Sequence, residues 1–157
     1  MPRGTASLEI NASCEVVFDV LHDYDKRLLW DTLLDQAHLI GTATADKGVR
    51  SLCVGNWRSG FMPMETEYIS FQRGQVAAVR LTNRPLLFQR FAASIRHTAL
   101  PNGGSRITYT YSFTSRPSSL SRILDPIIAR RLQRETRQRL EALRRFVERR
   151  AEVDSPR

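Results

Sequence analysis

Residues 107–114, ITYTYSFT, alternate without a break: Ile107, Tyr109, Tyr111 and Phe113 fall on one side of an extended chain, and Thr108, Thr110, Ser112 and Thr114 on the other. Such a strand buries an aromatic face and offers hydroxyls to water, the pattern of an antiparallel sheet packed on one side. Shortly after it, LDPIIARRLQ (residues 124–133) opens a helical pattern in which Ile128, Leu132, Thr136, Leu140, Leu143 and Val147 recur on one stripe. The pair predicts a sheet covered by a terminal helix. Asp125 is a good N-cap and Pro126 is favoured at the first helical position, so the helix is expected to start there and run to Arg149, roughly 36 Å. Leu120, Ile123 and Leu124 cluster on nearly the opposite side of the wheel, so residues 118–124 are assigned to a separate short turn.

Working outward, residues 34–115 read as short strands separated by Asp46-Lys47-Gly48, Arg73-Gly74, Asn83-Arg84-Pro85 and Pro101-Asn102-Gly103-Gly104. No helical pattern interrupts them, so neighbours are expected to pair antiparallel, about six strands in a meander. Ala77, Val79 and Leu81 share a face, as do Phe91, Ala93 and Ile95. Upstream, residues 6–10 alternate as a further strand. Ser13 then caps a helix over Cys14 to Leu21, with Val17, Phe18, Val20 and Leu21 inward, and a second helical turn follows near residues 25–30. The order gives a two-layer α+β domain: about seven antiparallel strands, two short helices after the first strand, and one long C-terminal helix. It is assigned to residues 1–150, with 151–157 a flexible tail.

At 157 residues the chain suits one domain, and 41% hydrophobic against 25% charged residues argue against disorder. Neither a signal-like apolar stretch nor a run long enough to span a bilayer is visible, which predicts a water-soluble, cytoplasmic protein. Cys14 and Cys53 lack metal-type spacing and read as reduced thiols. The net charge of +8 is uneven: residues 1–48 hold eight acids and four bases, whereas residues 116–157 hold six acids and twelve bases. Arg130, Arg131, Arg134, Arg137, Arg144, Arg145 and Arg149 lie opposite the apolar stripe, with Arg131–Glu135, Arg137–Glu141 and Arg144–Glu148 spaced for ion pairs. This reads as a solvated face, with peripheral contact to an anionic membrane as its functional alternative. No aromatic-interleaved basic motif, zinc-finger spacing or helix-turn-helix pattern accompanies the charge, which argues against nucleic acid.

Three stretches resemble the START-like superfamily, also called Bet v 1-like or SRPBCC, and within it the polyketide cyclase/dehydrase branch. These are Ile10 to Asp23, Trp30-Asp31, and Ile123-Leu124-Asp125-Pro126-Ile127-Ile128 with the helix after it. The resemblance implies a helix-grip fold, a curved antiparallel sheet wrapped around the terminal helix. It also implies a cavity that takes lipids, hormones, polyketides or quinone-like and aromatic compounds. Some members are cyclases or aromatases.

The inward sets supply cavity candidates: Met64, Tyr68, Val79, Leu81, Phe91, Ile95, Tyr109, Tyr111 and Phe113 on strands, facing Ile128 and Leu132. Tyr109 and Tyr111 stand out, because a buried phenol needs a hydrogen-bond partner. Trp30 and Trp57 are placed at the entrance, and residues 56–63 read as an aromatic-bearing loop. Catalytic signatures are absent: there is no phosphate loop or nucleophile motif, and no cofactor is implied. His97 shares the parity of Ile95 but lies at a strand end, where exposure is the expectation. Asp19, His22 and Asp23 share a helical face suited in principle to a metal, but read as polar surface. The leading expectation is a carrier or sensor of a hydrophobic or amphipathic small molecule. The alternatives are a polyketide cyclase, aromatase or dehydratase using the same cavity, and a protein-interaction module whose core is filled.

Overall fold

Ser13 stands in extended geometry and its hydroxyl accepts from the Val16 amide, so the first helix starts at the expected cap. The computed structural model describes residues 1–154. In chain order these are β1 (Arg3–Ile10), α1 (Cys14–Leu21), a 3-10 turn (Tyr24–Lys26), α2 (Arg27–Trp30), β2 (Leu34–Ile40), β3 (Arg50–Gly55), β4 (Pro63–Gln72), β5 (Val76–Leu81), β6 (Phe88–Ala99), β7 (Ser105–Ser115), a second 3-10 turn (Ser118–Leu120) and α3 (Ser121–Asp154). The strands form one antiparallel sheet ordered β1-β7-β6-β5-β4-β3-β2, curved against α3 in the expected helix-grip arrangement.

Two β-bulges decide which aromatics point inward. The register slips between Tyr68 and Ser70 in β4 and between Phe88 and Arg90 in β6. Side chains an odd number of residues apart normally face opposite ways, but an extra residue resets the alternation and bends the strand. Tyr68 and Phe71 therefore share the inner face, ring centroids 5.2 Å apart, as do Phe88 and Phe91 at 5.7 Å.

The terminal helix departs from expectation. It begins at Ser121, and Pro126 lies inside it. A break there would be required only if every apolar residue before Pro126 had to be buried. Instead Leu120, Ile123 and Ile127 are left exposed, and only Leu124 packs inward. Proline removes one intrahelical hydrogen bond, here to the carbonyl of Arg122, and both residues are exposed, so that carbonyl stays on the solvent side. Asp125 is not a cap: its carboxylate accepts from the Ser115 hydroxyl at the end of β7. At the other end α3 continues through residues 151–154, all exposed, while 155–157 of the expected tail lie outside the described residues. Of the three ion pairs read from the spacing, Arg131–Glu135 forms at 2.9 Å. Arg144 pairs with Glu141 instead, and Glu148 accepts from the Asn11 amide at 3.0 Å, joining α3 to the start of α1.

The stripe on α3 buries Ile128, Thr136, Leu140, Leu143 and Val147. Leu140, Leu143 and Val147 meet Ile10, Val17, Leu21, Trp30 and Ile107 at one end of the grip. Ile128 meets Phe88, Ala93, Tyr111 and Phe113 at the other. Gly4 permits the close approach of β1 to this second cluster. A Cβ there would lie 2.2 Å from Cζ and Oη of Tyr111, whose hydroxyl donates to Gln133 Oε1 at 3.1 Å. Gly4→Ala is expected to lower stability by about 1–3 kcal/mol, the usual cost of overpacking. In a Tyr111→Leu background most of that loss should vanish, which a double-mutant cycle in urea measures.

Candidate functional site

α3 lies closest to β1 and β7 and stands farther from β3, β4 and β5. The gap is a partly enclosed cavity of about 160 Å³. Met62, Met64, Val79, Phe88, Phe91 and Leu132 supply its apolar lining. The rest of the lining is largely polar. Arg27 comes from α2, Ser51 and Cys53 from β3, His22 and Tyr24 from the turn after α1, and Glu135 and Arg139 from α3.

Asp31 organises the polar wall from behind. Its carboxylate is 1% exposed and bridges two cations, Arg27 at 3.0 Å and Arg139 at 3.4 Å, while also accepting from the Leu33 amide at 3.2 Å. Burial alone would raise the Asp31 pKa, but the two guanidiniums hold it below the usual carboxylate range. Burial likewise works against the Arg27 charge, and Asp31 more than offsets it. The Arg27 guanidinium also lies over the Trp30 ring, 4.7 Å from its centroid.

Beside this triad runs a neutral chain of hydrogen bonds: His22 Nδ1 is 2.7 Å from the Tyr68 hydroxyl, which is 3.0 Å from the Tyr24 hydroxyl. Burial pushes both phenols up and pushes His22 down to about 3, so all three are uncharged at neutral pH. Tyr109 also lines the cavity, its phenol pushed up by burial, and its hydroxyl has no hydrogen-bond partner among the described residues.

The expected site residues divide. Met64, Tyr68, Val79, Phe91, Ile95, Tyr109 and Leu132 line the cavity. Trp30, Phe113 and Ile128 are packed in the core, and Leu81 lies against the same cluster as Phe113. The Tyr111 hydroxyl reaches past the sheet edge to Gln133 and opens on an outer groove. Trp57, 75% exposed, stands on the β3–β4 loop, away from the cavity wall. Both histidines expected at the surface are buried. His97 is 8% exposed and packs edge-on against Phe18, with neither ring nitrogen hydrogen-bonded among the described residues. His22 turns inward because α1 ends there and its ring caps Phe18, centroids 4.4 Å apart. The face expected to join it to Asp19 and Asp23 is thereby divided: Asp19 pairs with Arg73 and Asp23 with Lys26. Among the described residues no group of His, Cys, Asp and Glu is placed to hold a metal ion.

Residues 1–148 match the family model described as polyketide cyclase / dehydrase and lipid transport. The chain belongs to that family. No curated protein sequence matches it. The same fold recurs in solved structures of low identity, which show the architecture alone. A Thermus thermophilus protein superposes with TM-score 0.79 at 13% identity, covering 98% of this chain and 100% of that one. The Zhui aromatase/cyclase from Streptomyces sp. R1128 does so with TM-score 0.78 at 13% identity, covering 96% and 95%. A START superfamily protein from Mycobacterium smegmatis gives 0.77 at 10% identity, covering 94% and 97%.

A second concavity marks this family member's exterior. It is an open groove of about 900 Å³ along the outer side of α3, bordered by Arg3, Arg58, Arg130, Arg134, Arg137 and Arg145. Among the described residues no helix is long and apolar enough to cross a membrane.

The buried histidines make stability depend on pH. His22 and His97 are held at about 3 and about 4, chiefly by burial, against about 6.5 in an unfolded chain. The folded state thus binds fewer protons, and stability must fall as pH drops from about 6.5 toward 4, each histidine costing at most about 2 kcal/mol by pH 5. His97→Leu, which removes an unpartnered polar ring, is expected to flatten that fall. Urea unfolding at neutral and mildly acidic pH checks it: equal losses in variant and wild type would exclude His97 as a source.

Proposed function

We propose that the protein binds a hydrophobic or amphipathic small molecule, of lipid, polyketide, quinone-like or aromatic character, in the cavity between the sheet and α3, as a carrier or sensor. The observation that carries this reading is the cavity itself: apolar side chains of Met62, Phe88, Phe91 and Leu132 line it together with a few fixed polar groups, the composition found in small-molecule sites. Membership of a family described by polyketide and lipid chemistry supports it.

A second reading is cyclisation, aromatisation or dehydration of a polyketide-like substrate in the same space. It is favoured by the Tyr109 hydroxyl, which has no hydrogen-bond partner among the described residues, stays protonated, and lines the cavity with Arg27 and Arg139. A neutral phenol beside guanidiniums can donate to a carbonyl as negative charge develops on it, while the walls hold a reactive chain folded. If turnover occurs, Tyr109→Phe should lower kcat while the fold survives.

Native mass spectrometry of the purified protein, with denaturing extraction of co-purifying material, tests both readings. A bound lipid, quinone or aromatic compound is expected in the wild type and not in Leu132→Trp, which fills the cavity. A wild type that carries nothing and gains no thermal stability from a panel of hydrophobic ligands would favour the interaction module, since a ligand specific to the folded state must stabilise it. The arginine-bordered groove supports peripheral contact with an anionic membrane. Co-sedimentation with phosphatidylglycerol vesicles, lost at high salt and absent with phosphatidylcholine, is the expected result.

A further inference from the structure

We infer that the ligand carries a carboxylate and that Arg27 and Arg139 hold it at the polar wall of the cavity; this rests on the cavity being the ligand site. Charge in and around this wall does not balance. Arg27 and Arg139 line the cavity with Glu135, Asp31 stands behind it, and Arg131, 42% exposed, reaches Glu135 from outside the cavity lining. Glu135 is taken by Arg131 at 2.9 Å, so the single Asp31 carboxylate serves both Arg27 and Arg139. The other polar groups there cannot supply the missing anion. Burial keeps the phenols of Tyr24, Tyr68 and Tyr109 and the thiol of Cys53 protonated, and keeps His22 neutral.

The donor inventory agrees. Arg27 gives Nε to Asp31 and Nη1 to the Leu21 carbonyl, leaving Nη2 without a hydrogen-bond partner among the described residues. Arg139 gives only Nε, in a long 3.4 Å contact, and both its terminal nitrogens are without one. A guanidinium has five N–H donors in a planar fork that matches a carboxylate. An unbalanced cation in a partly dry site gains most from an anion that brings its own apolar body. The apolar part of the lining supplies the place for that body: Met62, Phe88, Phe91 and Leu132. At about 160 Å³ the space is smaller than the roughly 300–1,000 Å³ typical of drug-sized ligands, which fits a compact acid with one ring or a short chain.

The test compares 3-phenylpropanoate with 3-phenylpropan-1-ol, which share an apolar body and differ in charge, by NMR titration near neutral pH. In the wild type the acid should bind at least about tenfold tighter, with shifts at Leu132 and Tyr109. In Arg139→Gln the ratio of the two affinities should collapse to near one. Equal affinities in the wild type would overturn the anion assignment while leaving the cavity reading in place. A preference that survives in Arg139→Gln would also overturn it, assigning the attraction to the surface arginines. If neither compound binds, the cavity reading fails and this inference with it. The wild-type comparison decides the matter even if the variant does not fold.

Discussion

One carboxylate holds together two helices that the chain places more than a hundred residues apart. Asp31, just after α2, is fully buried and shared between Arg27 of α2 and Arg139 of α3. Burying Asp31 and Arg27 is costly, and removing the carboxylate would leave Arg27 enclosed and Arg139, 31% exposed, without a counter-charge, a loss of up to about 3–5 kcal/mol. The triad therefore ties α3 to α2 beside the cavity. Trp30, beneath Arg27, packs into the core with Ile10, Val17 and Leu143.

The rest of the polar wall follows from that anchor. The two apolar clusters on α3 are separated by the turn that carries Glu135 and Arg139, so a polar belt crosses an otherwise dry interior. Within it His22 Nδ1 and the Tyr68 and Tyr24 hydroxyls form one hydrogen-bonded chain, while His22 Nε2 is buried without a partner among the described residues. His97, also packed against Phe18, has no hydrogen-bond partner among the described residues and is neutral because it is enclosed. The interior is thus polar in two unlike ways, one network hydrogen-bonded and uncharged, the other ionic.

Most of the architecture was legible because period and punctuation agree. Ser13 as a cap, the alternation of β7, the turn signals and the α3 stripe all found their structural counterparts. The site was harder to read. Strand parity placed Phe91 but passed over Phe88, since a bulge is invisible to a strict two-residue period. Arg139 was readable in principle: at i+7 from Leu132 and i+3 from Thr136 it falls on the apolar stripe, and an arginine there calls for a buried acid. That acid, Asp31, is distant in sequence, so neither half of the pair announces the other. His22 looked like surface because its neighbours Asp19 and Asp23 are, and only the end of α1 against Phe18 turns it inward. The apparent break at Pro126 came from expecting every apolar residue to seek burial, whereas Ile123 and Ile127 remain in solvent.

The sheet is open, and its first strand is an edge whose backbone groups are available to any extended segment that approaches. Gln133 takes part of that edge for itself. Its side-chain amide donates to the Thr5 carbonyl at 2.9 Å while its oxygen accepts from Tyr111. A residue on the terminal helix thus stands where a neighbouring molecule's strand would have to add. The contact that steadies Tyr111 also occupies one carbonyl of the β1 edge.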